Sequence, residues 1–85
     1  MNKSKLGEAI DLALDGKWDA SHKLVQQFED EYACWIHAIL HRIEGDKWNS
    51  EYWYRKAGRN FDKAITSQDE LAMIKKHLLE DMQNR

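Results

Sequence analysis

Proline is absent from this chain of 85 residues, cysteine occurs once and glycine four times. With no proline, no helical run is interrupted by a residue that lacks its backbone donor. With Cys34 alone, no intramolecular disulfide can form, and a reducing compartment is the natural setting. No apolar run approaches the ~20 residues that a membrane span requires. Charge of one sign never accumulates. The formal net charge of −2 comes from mixed Asp, Glu, Lys and Arg along the whole length, which argues against a groove tracking phosphates, so nucleic acid is not an expected partner. Met1 to Lys5 lead into acidic and polar residues, not an apolar stretch, so no secretory signal is expected and the expected location is cytoplasmic. The length allows one domain, residues 1–85, whose thin core buries only ~60% of the unfolded chain's surface.

What the chain does have is internal similarity. Gly16-Lys17-Trp18-Asp19-Ala20-Ser21 is echoed by Gly45-Asp46-Lys47-Trp48-Asn49-Ser50, each closing one apolar helical pattern and opening another. Stacked helical hairpins follow, since a unit of this length buries its apolar face only against a neighbour. The fold class is all-α: two stacked hairpins and a C-terminal capping helix.

Leu6, Ala9, Ile10, Ala13 and Leu14 recur at helical spacing and predict a first helix from about Lys3 to Asp15, ended by Gly16. Asp19 is the expected N-cap of a second helix with Ala20, Leu24, Val25 and Phe28 facing inward. Asp30 and Glu31 suit the positive end of a third helix running to Glu44, whose broad apolar face of Tyr32, Trp35, Ile36, Ile39, Leu40 and Ile43 makes it the central, most buried element. A fourth helix, from Trp48 or Asn49 to Gly58, turns Trp53, Tyr54 and Ala57 inward. A turn or short helix follows at Arg59-Asn60-Phe61, with Phe61 and Ile65 sealing that end. Ser67-Gln68-Asp69-Glu70 matches a capping box opening a fifth helix, whose stripe is Leu71, Ile74, Leu78 and Met82. This helix is expected over the exposed end of the second hairpin, and Gln83 to Arg85 are expected to be disordered.

The run Gly45-Asp46-x-x-Asn49-Ser50-x-x-Trp53-Tyr54-Arg55-Lys56-Ala57 resembles the second half of a tetratricopeptide or Sel1-like repeat, most strongly within Asp30 to Gly58. The resemblance implies that Ser50 lets two helices approach closely, that Tyr54 fills the next groove and that Ala57 is a later small contact. Trp35-Ile36-His37-Ala38, Leu40-His41-Arg42 and Tyr52-Trp53-Tyr54-Arg55 also resemble a small family of uncharacterised helical proteins, from which no activity carries over.

Cys34, His37, His41 and Glu44 fall at intervals of three or four residues, along one stripe of a helix. Histidines one turn apart can chelate zinc, and His22 on the neighbouring helix can add a ligand across the hairpin. Four ligands on one helix spread over three turns, beyond one ion's reach, so no closed structural zinc site and no cofactor is expected. His37 or His41, oriented by Glu44, also suits acid–base work near neutrality. No nucleophile accompanies them: the apolar surroundings of Cys34 raise its pKa and leave thiolate scarce. There is no Gly-rich phosphate loop.

Trp48 and Tyr52, four residues apart, are the aromatics least needed by the core, and Arg42, Arg55 and Arg59 can line the same surface and receive carboxylates. The expected ligand or partner surface is therefore His37, His41, Arg42, Trp48, Tyr52, Arg55 and Arg59. The function expected from the sequence is a non-enzymatic interaction module for a protein or peptide. A homodimer is as readily expected as a monomer. The alternative is a small ligand- or metal-binding protein, conceivably an enzyme, using His37, His41 and Glu44 with His22.

Overall fold

The computed structural model describes residues 2–83, all of whose regular structure is helical. Five helices follow in order: α1 (Asn2–Leu14), α2 (Trp18–Val25), α3 (Glu31–Glu44), α4 (Lys47–Ala57) and α5 (Ser67–Gln83). None is long and apolar enough to cross a membrane. Gly16 and Gly45 take left-handed conformations, with φ of 78° and 85°. At Gly45 the amide donates to the carbonyl of Arg42 and that of Asp46 to His41, so the last turn of α3 is closed by its own backbone.

Helix starts differ from expectation in a consistent way. Asp19 does not cap α2; Lys17 occupies that position without a side-chain bond, and Asp19 sits one residue inside the helix. Asp46 caps α4 by accepting from the amide of Asn49, so the helix begins at Lys47. The cap of α5 is Thr66, whose Oγ1 accepts from the amide of Asp69 at 3.1 Å. Ser67 is therefore already helical, and Glu70 does not reach back to the cap. Gln83, expected to be disordered, is the last residue of α5, while Asn84 and Arg85 lie outside the described residues.

α1 packs against α2, and α3 against α4, joined by short turns. α3 also touches α1, α2 and α5. Accordingly Ala33 to Leu40 are buried without a break, a pattern that only a helix enclosed on all sides sustains. Ile43, near its end, is 46% exposed and leaves the expected stripe. The fully buried Leu6, Ile10, Ile36, Ile39, Leu40, Leu71, Ile74 and Leu78 dominate the core, each contributing about 1.5–3 kcal/mol by removal from water. On α2 the inward position expected for Ala20 is taken by Ser21, which is fully buried and donates to the carbonyl of Ala9 at 2.7 Å.

The fifth helix does not lie over the end of the second hairpin. It packs against α1 and α3 and spans both hairpins. Its buried face is Leu71, Ile74 and Leu78, with Glu70 between them and the second hairpin; Met82 is exposed. Glu70 accepts from Trp35 Nε1 at 2.7 Å, Arg42 at 2.8 Å and the Tyr54 hydroxyl at 2.7 Å. One buried carboxylate thus ties α3, α4 and α5 together, with Oε1 accepting two of the three bonds and Oε2 the third.

Candidate functional site

The residues proposed for a single surface occupy four separate places. Arg42 is half-buried, bound to Glu70 and to the carbonyl of Ile65, with its guanidinium 4.6 Å from the ring centroid of Phe61. Its guanidinium is engaged within the fold. Phe61 itself is 51% exposed, so it covers Arg42 and does not seal the hairpin. Arg59 lies over the Trp35 ring at 4.1 Å and pairs with Glu31 at 3.3 Å. Only Trp48, Tyr52 and Arg55 remain together in solvent, on the outer face of α4.

His37 and His41 instead face into the cleft between the hairpins. The one-turn spacing on α3 stacks their rings with centroids 5.1 Å apart. α2 brings His22 against both: its Nε2 lies 2.9 Å from His37 Nε2, and its ring stands edge-on to each of the other two. Two indoles close the flanks. Trp18 stacks on His22 at 4.9 Å, anchored by a bond from its Nε1 to the carbonyl of Leu40. Trp53 stacks on His37 at 3.8 Å.

Burial, followed by the neighbouring His22 and His41, pushes the pKa of His37 down to about 3. Burial and His41 lower that of His22, against the opposing pull of Glu44 and Asp19. Both rings are neutral at pH 7, so across the 2.9 Å contact one Nε2–H donates and the other Nε2 accepts. His41 Nδ1 is buried with no hydrogen-bond partner. It faces two carboxylates just beyond bonding distance, Asp46 Oδ2 at 3.6 Å and Glu44 Oε1 at 3.9 Å. Asp46 is itself held ionised below the usual carboxylate range by its bonds from Asn49.

The expected stripe from Cys34 to Glu44 therefore divides. Cys34 points away and its Sγ–H donates to the carbonyl of Glu29 at 3.6 Å; burial raises its pKa, so thiolate is scarce. Glu44 joins His41 and Asp46, not His22 and His37. Sequence reasoning missed Asp46 as a neighbour of His41, although the Gly-Asp turn carries the signal: a left-handed Gly45 folds the chain back toward the helix it has just ended. It also missed that Trp18 and Trp53 are the walls of the cleft.

No protein-family model, curated protein or solved structure matches this chain.

Proposed function

We propose that the protein is a non-enzymatic interaction module of tetratricopeptide-like type, and that the outer face of α4 receives a protein or peptide segment bearing carboxylates. The observation that carries this reading is Trp48, an indole 85% exposed on the first turn of α4. Tyr52, 45% exposed, stands one turn further on, and Lys56 Nζ lies 5.5 Å from its ring centroid. Exposed Arg55 completes the face. Rigid aromatics supply most of the contact energy at interfaces, and guanidinium forks match carboxylates. The backbone of α4 packs on that of α3, and Tyr54 reaches Glu70 of α5 from its inner side, so Trp48, Tyr52 and Arg55 are left facing solvent.

The tetratricopeptide-like reading draws support from the equivalence of the two hairpins. Both turn on a left-handed glycine, and both place a buried serine against a helix carbonyl of the partner, Ser21 on Ala9 and Ser50 on Ala38. α5 lies across α1 and α3, which leaves the outside of the second hairpin as the accessible aromatic surface.

Affinity capture from cells, with the parent chain compared against a Trp48→Ala, Tyr52→Ala, Arg55→Glu variant, tests this reading. Exposed positions contribute little to stability, so the variant should melt within about 2 °C of the parent while losing its captured proteins. Sedimentation of both chains identifies a second copy as the occupant. Retention of every captured protein by a folded variant overturns the proposal.

A further inference from the structure

The histidine cleft is separate from the outer face of α4 and has a chemistry of its own. Three ring nitrogens, one each from His22, His37 and His41, lie within 4.8 Å of one another. We infer that these three histidines hold a divalent first-row transition metal, with zinc the expected occupant, and leave a fourth coordination position for water or an exogenous ligand.

The donor set and its framing fit that ion. Imidazole suits zinc, copper, iron and nickel, and no thiolate or carboxylate shares the cluster to favour a softer or harder ion. Zinc–nitrogen bonds of about 2.0–2.1 Å in a tetrahedron place ligand nitrogens about 3.3 Å apart. The His22–His37 pair stands at 2.9 Å and has only to open by a few tenths of an ångström. The His41 nitrogen lies within 4.8 Å of the other two and has to approach them by at most about 1.5 Å to reach that spacing. The indoles of Trp18 and Trp53, stacked on His22 and His37, hold two of the ring planes in advance and shield their outer faces from water.

His41 supplies the second, independent observation. Its Nδ1 is buried and unpartnered, facing Asp46 at 3.6 Å and Glu44 at 3.9 Å. Histidines that ligate metals direct their other ring N–H at a carboxylate, which fixes the tautomer and strengthens the donor. A small approach of Asp46 gives His41 that partner, and the two carboxylates offset the charge of the ion. Buried polar nitrogens in folded proteins are nearly always hydrogen-bonded, so the open Nδ1 calls for a partner that Asp46 or Glu44 can supply.

The test uses the whole chain, stripped with a strong chelator and titrated with zinc in a calorimeter and with cobalt(II) in an absorption spectrometer. One zinc per chain is expected, with the intense visible bands of tetrahedral cobalt and a rise in Tm on the order of 10 °C at a hundredfold excess over Kd. His22 is only half-buried, so His22→Gln should stay folded while binding at least a hundredfold more weakly. Asp46→Asn, which keeps a capping side chain, should weaken binding about tenfold without changing the cobalt spectrum. His77→Gln, on α5 and outside the cluster, should bind as the parent does. Absence of stoichiometric binding to the parent chain, or unchanged zinc affinity in a folded His22→Gln, overturns the inference.

Discussion

Ser50 donates its hydroxyl hydrogen to the backbone carbonyl of Ala38 at 3.0 Å, inside the second hairpin. Ser21 makes the same bond to Ala9 in the first hairpin, 29 residues earlier. Each serine is small enough to let its helix approach the partner's backbone, and each uses a second lone pair on a carbonyl already in the helical ladder. Ser21→Ala and Ser50→Ala should each cost about 1 kcal/mol, because the alanine keeps the close approach and forfeits only the bond. Ser50→Val should cost about 1–3 kcal/mol, since added methyls force the helices apart. Urea unfolding of the three variants checks the order.

Trp35 is 4% exposed on the central helix, and its Nε1 is one of the three donors to Glu70. Trp35→Ala should destabilise by roughly 3–5 kcal/mol through loss of a large core side chain, close to the total stability of a domain this small. Glu70→Gln should cost about 3 kcal/mol by leaving Arg42 without its buried counter-charge. The two effects should fall short of additive in a double variant, because both break one network. A variant melting within a few degrees of the parent at either position contradicts this account.

Two glycines should respond to alanine with opposite signs. Gly7 lies inside α1 with nothing within 4 Å of an added Cβ, so Gly7→Ala should raise stability by about 0.5–1 kcal/mol. Gly45 has the same open surroundings but a φ of 85°. Gly45→Ala should lower stability by about 1 kcal/mol through backbone conformation alone. Thermal melts of the pair separate space from torsion.

Alkaline pH should unfold the protein through its tyrosines. Burial, with the bond to Asp81, pushes the pKa of Tyr32 up to about 12, and burial with the bond to Glu70 raises that of Tyr54. The folded state thus holds protons that the unfolded chain releases near pH 10. This contribution is fully present below pH 10 and is lost as pH rises toward 12, at about 1.4 kcal/mol per pH unit for each tyrosine once the unfolded form has ionised. Tyr32→Phe should make the decline between pH 10 and 12 shallower in chemical denaturation.

Much of the helical order was legible in the sequence because local chemistry decides it. Gly16 and Gly45 each follow an apolar helical run and take the left-handed conformation that closes it, and the apolar spacing of α3 already marks it as the central element. The position of α5 was not legible: Leu71, Ile74 and Leu78 announce an apolar face without naming the helices that cover it. The capping box was misread by one residue because Ser67 and Glu70 have the right spacing, whereas burial recruits Glu70 to Trp35, Arg42 and Tyr54. Of the histidine cluster, His37 and His41 follow from periodicity. Their meeting with His22 was anticipated only as an option, because it depends on how two hairpins close. The expected partner surface divides for a related reason: spacing along a helix places Arg42 near Arg55 without revealing that a distant carboxylate claims it.

The ion pair between Lys75 and Asp11 joins residues 64 apart at 2.5 Å, where α5 lies along α1. During synthesis α1 leaves the ribosome before α5, yet part of the surface that shelters its apolar side belongs to that later segment. Leu6 and Ile10 must therefore wait, incompletely covered, while α2, α3 and α4 emerge. The native state becomes available only after α5 has been released, so the nascent chain has an interval in which a chaperone, or another nascent copy, can occupy the place that its own last helix later fills.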